Sequence, residues 1–265
     1  MGPDKGFGRR GAKRLRALSI YRALPLVLLL VIWEFATKGN ASAVFFFGSP
    51  DRIARYVWSK TLDGSLPRDV VVTFTEAAAG FVIGNVIGTL IGLALWYSKL
   101  ALAIARPYVI ALGAAPVFAF APLLIIWFGT GMLSKIVISA LSTVFVALMQ
   151  SYTGASEVSQ DYVRLMKTFG ATQGQIFRKV VAPSSIVWVI SAFRLNVGFA
   201  ILGAFIGEFI SSNSGLGHLI LVASGLFDIS LVLTGIVFLS GLAFVLYFFV
   251  GYIEPRLKKT IVAHL

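Results

Sequence analysis

Few residues of this chain could carry covalent or metal chemistry, and their spacing assembles no catalytic site. The sequence has no cysteine, and its two histidines, His218 and His264, lie far apart in unrelated contexts. No Ser/His/Asp triad and no pair of catalytic carboxylates can be built from the remaining residues. The phosphate-binding pattern G-x-x-x-x-G-K-[ST] is absent. The sequence therefore predicts a non-catalytic chain with no metal site and no cofactor of its own.

The informative polar residues are instead those that interrupt long apolar runs. A charge inside such a run is costly and calls for a partner or a function. Arg194 and Glu208 are about 21 Å apart along a helix, so they cannot pair directly. Arg194 could attract an anionic solute, or it could bond helix carbonyls or a second copy of the chain. Asn85 and Asn196 could bond between helices or line a path.

The composition indicates which solvent surrounds these runs. Hydrophobic residues make up 58% of the 265 positions and charged residues 13%, with a mean hydropathy of +0.88. About a quarter of the residues of a soluble domain are charged, so this chain has too little polar surface for a soluble globule. We therefore expect an integral membrane protein. In a membrane protein, a net charge of +12 is explained first by the excess of basic residues on the cytoplasmic side and second by binding to anionic lipid. It does not indicate nucleic-acid binding.

The apolar runs predict one all-α polytopic domain over 20–254, between a basic leader at 1–19 and a basic tail at 255–265. Pro116 and Pro122 interrupt the third run. A cleaved signal peptide ending near Ala41-Ser42-Ala43 is the alternative for the first run. Runs of this length predict six transmembrane helices, at about 20–36, 70–97, 107–128, 134–152, 184–210 and 230–253.

Lysine and arginine give this arrangement a direction. Sixteen of the 23 basic residues fall on the side that holds the leader, the tail and the long polar loop at 157–183. The positive-inside rule then predicts that both termini are cytoplasmic. In the second run, Gly80, Gly84, Gly88 and Gly92 lie four apart on one helix face, which predicts a close approach by another helix. A surface that slides during transport is the functional alternative.

The loop at 157–183 is amphipathic, so it is expected to dock onto something. Arg164 to Phe169 predicts a short helix that Gly170 ends, and Thr172 can cap a second helix. The alternative, which needs no protein partner, is a basic helix that lies on the inner lipid surface. Two features of this region can be compared with known families. One is the spacing from Gly170 to Pro183, and the other is the position of the loop between long apolar runs.

The chain resembles the permease subunits of ABC importers, whose loop has the pattern E-A-A-x3-G-x9-I-x-L-P. That pattern falls here on Arg164-Leu165-Met166, Gly170, Val180 and Ala182-Pro183, with Arg164 in place of the acidic residue. The resemblance is closest to the nitrate/sulfonate/taurine-type branch and covers about 45–256. Gly207-Glu208-Phe209 and Ser214-Gly215-Leu216-Gly217 are among the supporting stretches.

The resemblance implies the type I ABC importer (MetI-like) permease fold in a bacterial inner membrane. It also implies a homodimer, two cytoplasmic ATPase subunits that hold ATP and Mg, and an extracytoplasmic solute-binding protein. The expected solute is a small anion of the sulfonate, taurine or nitrate kind. A stand-alone secondary carrier or channel is the alternative from another class, and a scaffold that binds anionic lipid is a third.

The resemblance also implies roles for particular residues. Candidates for coupling to the ATPase are Arg164, Leu165, Met166, Gly170, Ala171, Thr172, Gln175 and Phe177. Candidates for the wall of the translocation path are Ala115, Pro116, Phe118, Phe120, Arg194 and Asn196. Glu76 and Glu208 are candidates for an outer gate or a contact with the binding protein, or else for solvated or locally paired carboxylates.

Overall fold

The computed structural model describes residues 24–25 and 27–262, with side chains described as far as 255. The predicted leader therefore lies outside the described residues. All regular secondary structure in the described part is helical. The longer helices are α1 (Val27–Thr37), α3 (Pro50–Leu62), α4 (Ser65–Ala94), α5 (Lys99–Ala114), α7 (Met132–Ser156), α10 (Ala182–Ile210), α11 (Leu216–Gly225) and α12 (Ile229–Val262). The shorter ones are α2 (Ala41–Phe47), α6 (Ala121–Phe128), α8 (Gln160–Thr168) and α9 (Gln173–Ile176).

Four helices of the described chain are long and apolar enough to cross a membrane, and they contain α4, α7, α10 and α12. A bent pair formed by α5 and the segment Val117–Phe128 makes a fifth span if it is counted as one. The helix α1 is shorter, and the predicted start of its run lies outside the described residues. The count of six spans therefore stays a prediction. The helix α12 continues to Val262, through residues that the sequence placed in the tail.

The third predicted run is not one straight helix from 107 to 128. The helix α5 begins earlier, at Lys99, and ends at Ala114, and the chain then turns by 86° before Val117–Phe128. Proline disfavours helical backbone in the residue before it, and Ala115 is accordingly extended, with φ −68° and ψ 136°. Pro116 thus ends one helix and redirects the next.

The centre of the bundle is a tight packing of α4 against α7 and of α7 against α10. A Cβ added at Gly84 would lie 1.9 Å from Thr143 Oγ1 and 2.5 Å from the Ala140 carbonyl oxygen, so no side chain fits there. The same four-residue step brings Gly80 to Ser139, which shows that α4 and α7 run parallel. The hydroxyl of Ser139 donates to the Ala200 carbonyl at 2.9 Å and joins α7 to the antiparallel α10.

The helices α3, α11 and α12 meet at the end of the bundle where α4 begins. Ser49 caps α3 and Pro50 occupies its first position, where the missing N–H of proline costs nothing. The Tyr56 hydroxyl donates to the Asp228 carboxylate before α12, and this hydrogen bond raises the pKa of Tyr56. Leu66, Leu216, Leu219 and Leu231 form the apolar core of this end.

Candidate functional site

The loop between α7 and α10 is a built structure rather than a flexible link. Ser159 caps α8, and Thr172 and Gln175 form a reciprocal capping box at α9. Gly170 joins the two helices with φ +75°, a backbone conformation that residues with a Cβ rarely adopt. These local hydrogen bonds hold the two short helices in one fixed arrangement.

One side of this loop is anchored to the bundle. Val163, Ile176 and Val181 are buried together with the end of α7. The ring of Phe177 lies 5.7 Å from that of Trp96 and 4.7 Å from that of Tyr97, measured between centroids. Phe177, a candidate for coupling to an ATPase, is half-buried against these two rings. The half-buried Met166 and Ala171 also pack on this anchored side.

Beside this anchored face, Tyr162, Leu165 and the C-cap residue Phe169 form an exposed apolar stripe along α8. The spacing of three and four residues places them on one helix face. Phe169 is 78% exposed, and Tyr162 and Leu165 are also exposed. Arg164 and Lys167 are exposed on the other side of the helix, and Thr172 and Gln175 are exposed beside the capping box. An apolar stripe on a rigid, polar-flanked loop is suited to docking into a groove of another protein.

The predicted wall residues Ala115, Pro116, Phe118 and Phe120 lie at the bend of the third run. Phe118 and Phe120 are exposed large apolar side chains, and Ala115 is half-buried. A second exposed strip runs along α10 and contains Ser184, Val187, Ser191, Arg194, Leu195, Gly198, Phe199 and Leu202. Val117 beside the bend and Ile206, four residues beyond Leu202, pack against the same small cluster, so the bend lies near the C-terminal end of this strip.

Arg194 forms an ion pair with the Glu254 carboxylate of α12. The arginine side chain is 47% exposed, and Glu254 is largely covered. The sequence left a structural role and a solute-binding role open for Arg194. The ion pair supplies the structural partner, and about half of the arginine side chain stays exposed. Glu254 was not singled out from the sequence, because it directly follows the sixth predicted span, which ends at 253.

Asn196, which was predicted to line the path, is instead fully buried between three helices. Its Nδ2 donates to Asn85 Oδ1 at 2.7 Å and to the Thr143 carbonyl at 3.1 Å. Asn85 in turn donates to the Phe81 carbonyl of its own helix at 2.7 Å. The two asparagines therefore connect α10 with α4 and α7, as expected for polar groups that bond between helices.

Replacing Asn196 by leucine is expected to lower the free energy of unfolding by about 1–2 kcal/mol, since the hydrogen bonds to Asn85 and Thr143 are lost within the bundle. Reversible unfolding in mixed detergent micelles measures the change. Leu195→Asn, one residue along and exposed on the same helix, is the matched control for adding or removing an amide. An Asn196→Leu variant as stable as the unchanged chain would contradict the prediction.

Glu76 and Glu208 do not lie on an accessible outer surface. Glu208 is 0% and Glu76 is 2% exposed, and Lys135 at the start of α7 is 1% exposed beside them. The Lys135 ammonium donates to the Thr130 carbonyl. A direct contact of Glu76 or Glu208 with a partner protein is therefore excluded in this conformation. Lys135, the second residue of the fourth predicted span, was not singled out from the sequence.

The helical fold, with several helices long and apolar enough to span a membrane, defines a class of protein, the helical membrane subunits of transporters. The family described as binding-protein-dependent transport system inner membrane component matches residues 84–259, and the chain belongs to this family. It is a non-catalytic permease subunit of an ABC importer, and the ATPase of such a transporter is a separate subunit. Within the described residues no cluster of His, Asp or Glu could hold a metal ion.

Several relatives extend over nearly the whole chain. A probable ABC transporter permease protein of Haemophilus influenzae is 31% identical over 88% of this chain and 95% of its own length. The riboflavin transport system permease protein RibX of Chloroflexus aurantiacus is 30% identical over 94% of this chain and 96% of its own length. The taurine transport system permease protein TauC of Escherichia coli is 25% identical over 87% of this chain and 86% of its own length.

The solved structures show the same fold. An inward-facing structure of the MetNI methionine ABC transporter matches with a TM-score of 0.64 and 18% identity. The match covers 76% of this chain and 98% of that one. The expected permease fold is thereby confirmed. The solute is not determined by these relatives, because their names include riboflavin and taurine transport systems.

Proposed function

We propose that this chain forms, with a second copy of itself, the translocation path of an importer for a small anion such as a sulfonate, taurine or nitrate. Both termini lie in the cytoplasm. Two partner subunits bind ATP and Mg and press on the loop that contains α8 and α9. An extracytoplasmic binding protein delivers the solute. This chain contributes helices that line the path and change position during transport, and it contributes no catalytic group.

The observation that carries this proposal is the apolar stripe of Tyr162, Leu165 and Phe169 on its anchored loop. A loop that transmits force must be stiff, and the capping box and the buried residues Val163 and Ile176 make it so. The loop also continues through Phe177–Val181 directly into α10. A push on the stripe is therefore passed to the helix that carries the exposed strip.

The anionic solute is supported by the chemistry of that strip. Arg194 is the basic side chain on the exposed strip of α10, and Ser191 lies one turn away. A guanidinium that is half exposed can hydrogen-bond a sulfonate or nitrate oxygen with donors not used by Glu254. The strip and the bend at Pro116 leave an open apolar and polar surface that a second copy can close into a path.

The direct test is ATP hydrolysis by the complete transporter in liposomes. The binding protein of the same transport system is added with taurine, an alkanesulfonate or nitrate, and we expect one of these anions to stimulate hydrolysis and to enter the vesicles. Riboflavin and methionine serve as comparison solutes. Uptake driven by an ion gradient without any ATPase would contradict the proposal and favour a secondary carrier.

The orientation can be tested separately, because the chain has no natural cysteine. Lys60→Cys at the end of α3 is expected to react with a membrane-impermeant maleimide added outside intact cells. Lys167→Cys on α8 is expected to react only after the membrane is opened. The opposite labelling pattern would overturn the proposed orientation.

The ion pair on α10 provides a prediction of its own. Glu254→Gln removes the charge partner but leaves the arginine, so it is expected to lower stability by about 1 kcal/mol or more while anion-stimulated hydrolysis persists. Arg194→Met is expected to reduce anion stimulation at least several-fold. Equal effects of the two substitutions on stimulation would show that Arg194 acts only through the ion pair.

A further inference from the structure

An apolar groove of about 230 Å³ runs between α4, α10 and α12. Its floor includes the half-buried rings of Phe81 and Phe193, which meet edge to face at 5.9 Å between centroids. Val82 of α4 and Phe249 of α12 lie at its rim, and both are more than half exposed. Every residue that lines the groove is apolar except Glu254. The groove is therefore an apolar depression in the side of the bundle.

The position of the groove limits what can occupy it. All three helices that line it are long and apolar enough to cross a membrane, so the groove opens to lipid hydrocarbon. Water is a poor occupant, because a buried water needs about two to four polar partners, which apolar walls do not supply. The second copy is proposed to meet the exposed strip of α10, and the groove residues Ile190 and Phe193 do not belong to that strip. A lipid acyl chain matches both the surroundings and the walls.

One end of the groove is polar and lies at the membrane boundary. Glu254 is the next-to-last residue of the apolar span Ile229–Pro255. Leu246 lines the groove about 12 Å deeper along the same helix. The Glu254 carboxylate is paired with Arg194, so the pair presents little net charge. In the proposed orientation, this end of α12 is the cytoplasmic one.

Beyond Glu254 the chain becomes strongly basic. The helix α12 continues to Val262, and its sequence there contains Arg256, Lys258 and Lys259. The cytoplasmic leaflet is rich in anionic lipid, and basic residues next to the end of a spanning helix attract such lipid. The charge at this end of the groove therefore complements a phosphate headgroup.

We propose that the groove binds an acyl chain of an anionic phospholipid of the inner leaflet, whose phosphate lies at the basic end of α12. This inference rests on the orientation proposed above and not on the identity of the solute. The bound chain contacts α4, α10 and α12 together, so it stabilises the arrangement of these three helices. Arg194 contributes by neutralising Glu254, which would otherwise repel the phosphate.

The direct test uses phosphatidylglycerol with a photoreactive group in its acyl chain, in vesicles that contain the complete transporter. After illumination, mass spectrometry of the peptides is expected to show labelling concentrated at Val82 and Phe249. Phosphatidylcholine with the same group is expected to label these residues much less. Labelling that avoids them, as a covering second copy would cause, or that is uniform over all exposed apolar side chains, would overturn the inference.

Val82→Trp is expected to abolish the labelling of Phe249, because the indole ring fills the rim of the groove. Val86→Trp is the matched control, since Val86 is similarly exposed one turn along α4 and does not line the groove. Labelling of Phe249 should persist in the control. Persistence in both variants, or an equal loss in both, would contradict an acyl chain in the groove.

The headgroup is tested by the double substitution of Lys258→Gln and Lys259→Gln. The ratio of labelling by phosphatidylglycerol to labelling by phosphatidylcholine is expected to fall at least about tenfold, since each basic residue near the membrane surface strengthens anionic lipid binding roughly fivefold. Lys38→Gln with Lys60→Gln removes the same charge from the opposite side and should leave the ratio unchanged. An unchanged ratio in the first pair, or an equal fall in the second, would show that the phosphate is not held at the end of α12.

These measurements need neither solute nor ATP hydrolysis. A transporter that imports none of the proposed anions can therefore still bind the lipid, and a transporter that imports them can still lack it. The failure of the proposed function and the failure of this inference are thus separate results.

Discussion

Gly84→Ala is expected to lower the free energy of unfolding of the permease by about 3 kcal/mol, which is the upper range for an added methyl group in a packed core. The new methyl group would meet Thr143 Oγ1 at 1.9 Å and the Ala140 carbonyl oxygen at 2.5 Å. The threonine side chain can rotate, but the carbonyl belongs to the backbone. The helices α4 and α7 must therefore separate, and the contacts along the whole glycine row weaken with them.

The matched control for this substitution is Gly198→Ala on α10, where an added Cβ meets no atom within 4 Å. Alanine is the better helix former by about 1 kcal/mol, so this control is expected to be neutral or stabilising. Unfolding by dodecyl sulfate in mixed micelles, followed by circular dichroism, compares the two variants. Equal stability of both would show that α4 and α7 are not held by close packing at Gly84, and a sliding surface would then be favoured.

Phe169→Asp is expected to reduce ATP-driven uptake by at least about tenfold, as loss of an aromatic anchor at an interface commonly does. The side chain is 78% exposed in the isolated chain, so the substitution leaves the core intact. In the assembled transporter the carboxylate would be buried without a partner, which adds a desolvation cost to the lost apolar contact. Co-purification of the ATPase subunit and uptake by proteoliposomes measure the effect.

Lys167→Ala is the control for that prediction, because Lys167 is exposed on the same short helix but faces away from Tyr162, Leu165 and Phe169. It is expected to change uptake by less than about twofold, the usual result for a peripheral contact. A Phe169→Asp transporter that still binds its ATPase and imports solute would show that the docking surface lies elsewhere. A larger effect of Lys167→Ala than of Phe169→Asp would place that surface on the basic side of α8.

The glycine row shows why some structural features could be predicted from the sequence. Gly80, Gly84, Gly88 and Gly92 recur at the helical period, so they share a face whatever helix lies opposite. The amphipathic loop was recognised for the same reason, since Gly170 and Thr172 act on their immediate neighbours. These features depend on residues close in the chain, and the chain order alone specifies them.

The polar residues inside the bundle show the opposite case. Asn196 lies two residues from Arg194, yet one is buried against Asn85 and the other reaches Glu254 on α12. Which of the two faces a path depends on the rotation of α10 against its neighbours. The sequence does not contain that rotation, because it is fixed by the summed packing of three long helices.

The amino-acid sequence by itself determined that this protein is a helical membrane permease with a long amphipathic loop, because apolar bulk, charge distribution and motif spacing are properties of the linear chain. Only the tertiary structure decided which polar groups are used within the bundle and which face outward. Glu208 and Lys135 are buried because helices distant in sequence enclose them, and Phe177 is half-buried because Trp96 and Tyr97 pack against its ring. A buried charge is stable only where a partner from another element meets it, and such a meeting is a property of the fold.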